Sequence, residues 1–188
     1  MFVIISDLHL NDGTTGAQIH PGAFQLFAER LADQAVNASW RADGRYRPVE
    51  RIDLLLLGDI FDIIRSRRWL QSGIRPWEDP NSPQVADTVS TIVDSVLETN
   101  HEALDVLRSL YGAGAIHIPP ANQAGEPVYG AEGRPVAVRT FYMVGNHDWP
   151  LHLRGARYDL IRQKVVQRVG LDNAPALPFP HDPNECSE

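Results

Sequence analysis

"RIDLLLLGDIFD", residues 51–62, is the stretch whose reading decides the fold. Ile52 and the four leucines Leu54, Leu55, Leu56 and Leu57 form a short apolar run that stops at Gly58. A run of this length ended by a glycine predicts a buried strand. Two aspartates then follow, Asp59 and Asp62. Two other segments repeat the pattern. "FVIIS" at 2–6 is short and β-branched, which suits a central strand covered on both faces, and it runs into "DLH". "VAVRTFYMVG" at 136–145 is a third strand and runs into "NHD".

Helical periods separate these strands. Pro21 sits well in the first turn of a helix reaching about Asn37, with Phe24, Phe27, Leu31 and Ala35 as its buried stripe. Ser82-Pro83 reads as an N-cap and first helical position. Val85, Val89, Ile92, Val93, Val96, Ala103, Leu107 and Leu110 continue that period towards Gly112, with a break expected near Asn100. Residues 155–170 form a third amphipathic helix with Gly170 as its C-terminal cap. Residues 7–17 read as loop, 65–83 as an irregular surface segment, and 119–135 as a loop or small hairpin. Strands alternating with helices predict an α/β domain over 1–188 with mainly parallel central strands flanked by helices. Active sites of such sheets lie beyond the carboxyl ends of the strands.

Composition sets the outer limits. The chain has 188 residues, 43% hydrophobic and 22% charged, enough for one domain with a core. A formal net charge of -7 weighs against a non-specific nucleic-acid binder, although a nucleic-acid enzyme with a local basic patch is not excluded. Cys186 is the single cysteine, so no internal disulfide is expected. No run approaches the roughly 18 apolar residues of a membrane span. The opening residues lack a signal-peptide core, and a cytoplasmic protein is expected.

Each strand end has a plain explanation when taken alone. Asp7 and His9 suit a turn and a surface, Asp59 an N-cap before Ile60, and Asn146-His147 a solvated turn after Gly145. Together they place carboxylate, imidazole and amide groups at adjacent strand ends. That is a donor set for divalent transition metals. Two close carboxylates also repel unless protonated or bridged by cations.

The combination D-x-H (Asp7, His9), G-D-x-x-D (Gly58, Asp59, Asp62) and G-N-H-D (Gly145, Asn146, His147, Asp148) resembles the calcineurin-like metallophosphoesterase family. The resemblance spans residues 7–148. It implies an α/β/β/α sandwich and hydrolysis of a phosphomonoester, phosphodiester or pyrophosphate. The cofactors would be two divalent metal ions, with Mn2+ expected and Fe, Zn or Mg as alternatives. Two such ions about 3.5–4 Å apart turn a shared water into hydroxide and clamp a phosphoryl group. The resemblance further implies that Asp7 and His9 bind the first metal, Asp59 bridges both, and Asn146 binds the second. His147 would protonate the leaving group and Asp62 would hold its tautomer. Asp148 reads as a support for the turn. The substrate would be a phosphorylated small molecule or a phosphodiester.

The family pattern continues with a further histidine and a G-H-x-H element. Of the seven histidines, His9, His20, His101, His117, His147, His152 and His181, only the last two follow "GNHD", and neither lies in a G-H-x-H. The expectation is therefore a C-terminally incomplete domain. It should bind a metal pair weakly and expose apolar surface that favours self-association. A catalytically impaired metal- or phosphate-binding remnant is the alternative function. Arg65, Arg67 and Arg68 could neutralise a phosphate or form a solvated basic loop, and Trp69 and Trp77 are expected to pack that loop down.

Overall fold

The structure, a computed structural model, describes residues 1–182; Cys186 lies outside them. In chain order the elements are β1 (Phe2–Ile5), α1 (Pro21–Ala38), β2 (Arg51–Leu57), α2 (Arg68–Ser72), α3 (Pro83–Thr99), α4 (His101–Leu110), β3 (Gly112–Ile118), β4 (Arg134–Met143), a 3-10 turn (Trp149–His152) and α5 (Ala156–Val169). The four strands form one sheet in the order β1-β2-β4-β3. β1, β2 and β4 are parallel neighbours, and β3 pairs antiparallel to β4. The fold is thus α/β, with a mostly parallel sheet and flanking helices.

Local chemistry accounts for the helix boundaries. Pro21 opens α1 and Pro83 opens α3, where a missing N–H costs nothing. Ser82 takes the N-cap position of α3, but its hydroxyl bonds the Gln84 side chain instead of a backbone N–H. α3 and α4 separate at Asn100, as the sequence suggested. The Asn100 amide there donates to Val96 O (2.7 Å) and across to Asn11 O (2.9 Å). Gly170 ends α5 in the left-handed conformation.

One strand was not expected and two expectations are corrected. Residues 112–118, "GAGAIHI", form β3, and His117 lies on that strand; glycine and alanine carry almost no strand signal. The segment 65–83 contains the short helix α2. β1 is an edge strand, not a central one covered on both faces.

The sheet has one closed face and one open face. Val3 and Ile5 of β1, Ile52, Leu54 and Leu56 of β2, and Val136, Val138 and Tyr142 of β4 join the apolar stripes of α1, α3, α4 and α5 in one core. On the opposite face Phe2 is 62% exposed, Ile4 50% and Leu57 39%. Register places these beside Leu55 and Phe141. Together with Leu177 and Pro178 they line an open apolar groove of about 740 Å³.

The segment after α5 closes the upper edge of β4, beyond the reach of β3. Thr140 and Tyr142 exchange hydrogen bonds with Asp172 and Asn173, and Val144 N donates to Pro180 O (2.8 Å). Arg162, whose side chain is fully buried, fastens the same segment by donating to Pro175 O and Leu151 O. Among the described residues no helix is long and apolar enough to cross a membrane.

Candidate metal centre

The three parallel strands end at one edge of the sheet, and backbone bonds sew those ends together. Asp7 N donates to Gly58 O (3.2 Å), His9 N to Asp59 O (2.9 Å) and Leu10 N to Ile60 O (2.8 Å). Gly58 N donates to Met143 O (2.9 Å), and both Ile63 N and Ile64 N donate to His147 O. The parallel ladder therefore continues past the strands into the loops. No helix opens after Asp59, so it is not an N-cap.

Backbone conformation singles out the same residues. The non-glycine residues with positive φ among those described are Asp7 (57°), His9 (46°) and Asp59 (52°). Left-handed backbone costs an L-residue roughly 1–2 kcal/mol and persists only where the surroundings enforce it. Two glycines make the turns possible. Gly58 has φ of 70° and passes close to Gly145. A Cβ on Gly145 would lie 2.3 Å from Asp59 Oδ1, so the Asp59 carboxylate fits only against a bare backbone.

Asp7, His9 and Asp59 each offer a ligand atom within 4.8 Å of the others. Asp59 Oδ1 accepts from His147 N (2.8 Å), which orients this carboxylate. His9 Nδ1 is buried without a hydrogen-bond partner among the described residues, an orphan that a cation would satisfy. Two carboxylates and an imidazole suit Mn2+, Fe or Zn, and the donor set fits a divalent cation. His9, Asp62 and His147 also lie within 4.8 Å of one another. Asp62 is the weaker ligand of the two groupings, because both of its oxygens are already engaged.

Asp62, 2% exposed at its side chain, serves His147 and Arg65 together. Its Oδ1 lies 2.9 Å from His147 Nδ1, and its Oδ2 accepts from Arg65 Nε at 2.6 Å. Burial pushes the Asp62 carboxyl up, but the bonds from Arg65 and His147 outweigh it and hold the carboxyl below its usual range. An ionised carboxylate only accepts, so Nδ1 of His147 carries its hydrogen towards Asp62. The His147 ring meets His9 edge-on, with centroids 4.6 Å apart. Asn146 is exposed, on the same turn, between Gly145 and His147.

Asp148 is the knot beneath the site. Fully buried, it accepts from Ile60 N (2.9 Å), Phe61 N (3.4 Å), Gly145 N (2.6 Å) and the Tyr142 hydroxyl (2.7 Å). One carboxylate thus ties the turn after β2 to the turn after β4. Burial raises the Asp148 carboxyl despite these donors, and burial beside Asp148 raises the Tyr142 phenol well above its ordinary value.

A second polar knot escaped the sequence reading. Asp12 accepts from the hydroxyls of Ser66 (2.5 Å) and Thr14 (2.5 Å) and from Arg68 Nε (3.2 Å). It pins the loop after β1 to the segment before α2. Its one sequence signal was Asn-Asp-Gly turn chemistry in "NDGTT". Trp69 is buried and donates to Ile63 O, as expected of a packing residue, whereas Trp77 is 78% exposed. His152 and His181 lie with ring centroids 4.5 Å apart, and His152 Nδ1 contacts Phe179 O.

The chain matches no family model, and comparisons with curated proteins and with solved structures gave no match either.

Proposed function

We propose that this protein is a metal-dependent phosphoric ester hydrolase of the calcineurin-like metallophosphoesterase type, acting on phosphomonoesters or phosphodiesters. The observation that carries the reading is the coincidence of backbone and chemistry at Asp7, His9 and Asp59. These candidate ligands share one strand edge and one cluster, and all three adopt left-handed backbone. Strain of this kind gathers at ligand-holding sites.

In this reading Asp7, His9 and Asp59 would hold the first divalent ion, with Mn2+ expected, and Asp59 and Asn146 would contribute to a second. The ions supply Lewis-acid polarisation of a phosphoryl oxygen and activation of water. The chain's own groups do the rest. Asp62 fixes the His147 ring through Nδ1, and in its doubly protonated form the ring would give its Nε2 proton to the departing oxygen. Gly145 keeps the approach to Asp59 clear. The open apolar face of the sheet supports packing against a further β layer, as in an α/β/β/α sandwich.

The test is turnover of p-nitrophenyl phosphate and bis-p-nitrophenyl phosphate with Mn2+, in wild type and in Asp59→Asn. Hydrolysis by the wild type, lost by about a hundredfold or more in the variant, is expected. A second reading, a metal- or phosphate-binding protein impaired in catalysis that acts through a partner, is favoured by the sparse second centre. Beyond Asp7/His9/Asp59, the three-ligand grouping found among the described residues draws on the engaged Asp62. Phosphate binding without turnover of either ester would support that reading.

A further inference from the structure

Asp62 bonds two groups whose surroundings differ sharply. His147 is largely covered, with its side chain 17% exposed, whereas the Arg65 side chain is 57% exposed. Arg65 grips Asp62 side-on, through Nε at 2.6 Å and Nη2 at 2.5 Å. A guanidinium held this way has its Nε/Nη2 edge engaged and its terminal Nη1/Nη2 edge still able to donate. Arg65 is therefore held beside the site by the buried carboxylate that also bonds His147.

The neighbouring arginines are placed differently. Arg68 is engaged with Asp12, and Arg67 is exposed, its backbone N–H bonded to Thr14. Meanwhile Asp7, Asp59 and Asp62 give the site a negative field, which repels an approaching phosphate. A divalent ion offsets that field at the ligands, and a cation at the rim is needed for phosphoryl oxygens beyond them.

Resting on the reading of the site as a phosphoesterase, we infer that Arg65 is a substrate-recognition residue. Its outer guanidinium edge hydrogen-bonds a non-bridging phosphoryl oxygen, and so favours dianionic phosphomonoester groups over monoanionic diesters. Asp62 then links the two ends of the ligand: it positions Arg65 for the phosphoryl group and His147 for the leaving group.

The experiment uses Mn2+-loaded wild type, Arg65→Gln and Arg65→Lys, with folding verified by circular dichroism. Calorimetry measures binding of inorganic phosphate, and kinetics compare p-nitrophenyl phosphate with bis-p-nitrophenyl phosphate. Loss of one charge-assisted hydrogen bond predicts phosphate binding about tenfold weaker in Arg65→Gln, with partial rescue in Arg65→Lys. KM for the monoester rises about tenfold, kcat moves less, and KM for the diester changes under about threefold. Unchanged phosphate affinity in Arg65→Gln, equal KM increases for both esters, or a loss confined to kcat overturns the assignment while an active wild type leaves the phosphoesterase reading standing. A wild type that neither binds phosphate nor hydrolyses either ester overturns both.

Discussion

Leu56 and Leu57 are neighbours in β2, yet Leu56 is fully buried and Leu57 is 39% exposed. They stand for the two faces of the sheet. Both faces are apolar, so composition alone does not separate them. The connections do. The strand order advances β1, β2, β4 in one direction, and right-handed crossovers then place successive helices on the same side. The helical face becomes the core and the other face stays open. The comparison teaches that an apolar strand reports the capacity to be covered, whereas topology decides which side is covered first.

Four substitutions break or sharpen that contrast. The largest effect is expected at the sewn edge above the closed face. Asp148→Ala strands Tyr142, Gly145 and Ile60 donors in a buried place and should cost about 4 kcal/mol in urea unfolding. Leu56→Ala opens a cavity against the helices and should cost about 3 kcal/mol by the same assay.

Asp12→Asn comes next, with a loss of about 1–2 kcal/mol at neutral pH. Burial raises the Asp12 carboxyl, but bonds from Ser66 and Thr14 and the charge of Arg68 together bring it below its ordinary value. A depressed acid contributes stability that is fully present above the unfolded pKa, about 4, and is lost as pH falls through the lower folded pKa. The gap between wild type and Asp12→Asn should therefore be full above about pH 4 and narrow below it, read from thermal midpoints across pH. The smallest effect belongs to the open face. Leu57→Ala should cost about 1 kcal/mol, because that side chain already stands partly in water and leaves no enclosed cavity. A cost for Leu57→Ala equal to that of Leu56→Ala would erase the distinction between the faces.

Much of this was legible in the sequence, for reasons that differ by element. The three parallel strands announced themselves by short apolar runs, two of them stopped by Gly58 and Gly145, while α1 and α3 showed by period and proline and α5 by period and its Gly170 cap. Asp7, His9, Asp59, Asp62 and His147 were legible because strand ends of a parallel sheet converge. β3 was not, since "GAGAIHI" forms a strand through its pairing with β4 and not through its own propensity. The edge position of β1 was hidden because a short apolar strand reads alike at the centre and at a one-sided edge. Asp148 was legible as a support for its turn, which its bond from Gly145 N bears out, but its reach to Ile60, 88 residues away, and that of Asp12 to Ser66, 54 residues away, lie outside any local window.

The central claim is that Asp7, His9 and Asp59 form a metal-holding cluster. The most direct test is Mn2+ binding followed by electron paramagnetic resonance, titrating wild type and Asp59→Asn at neutral pH with folding verified in parallel. The account predicts saturable binding by the wild type, weakened at least about tenfold in the folded variant. Equal binding by both proteins, or none by the wild type, would contradict it.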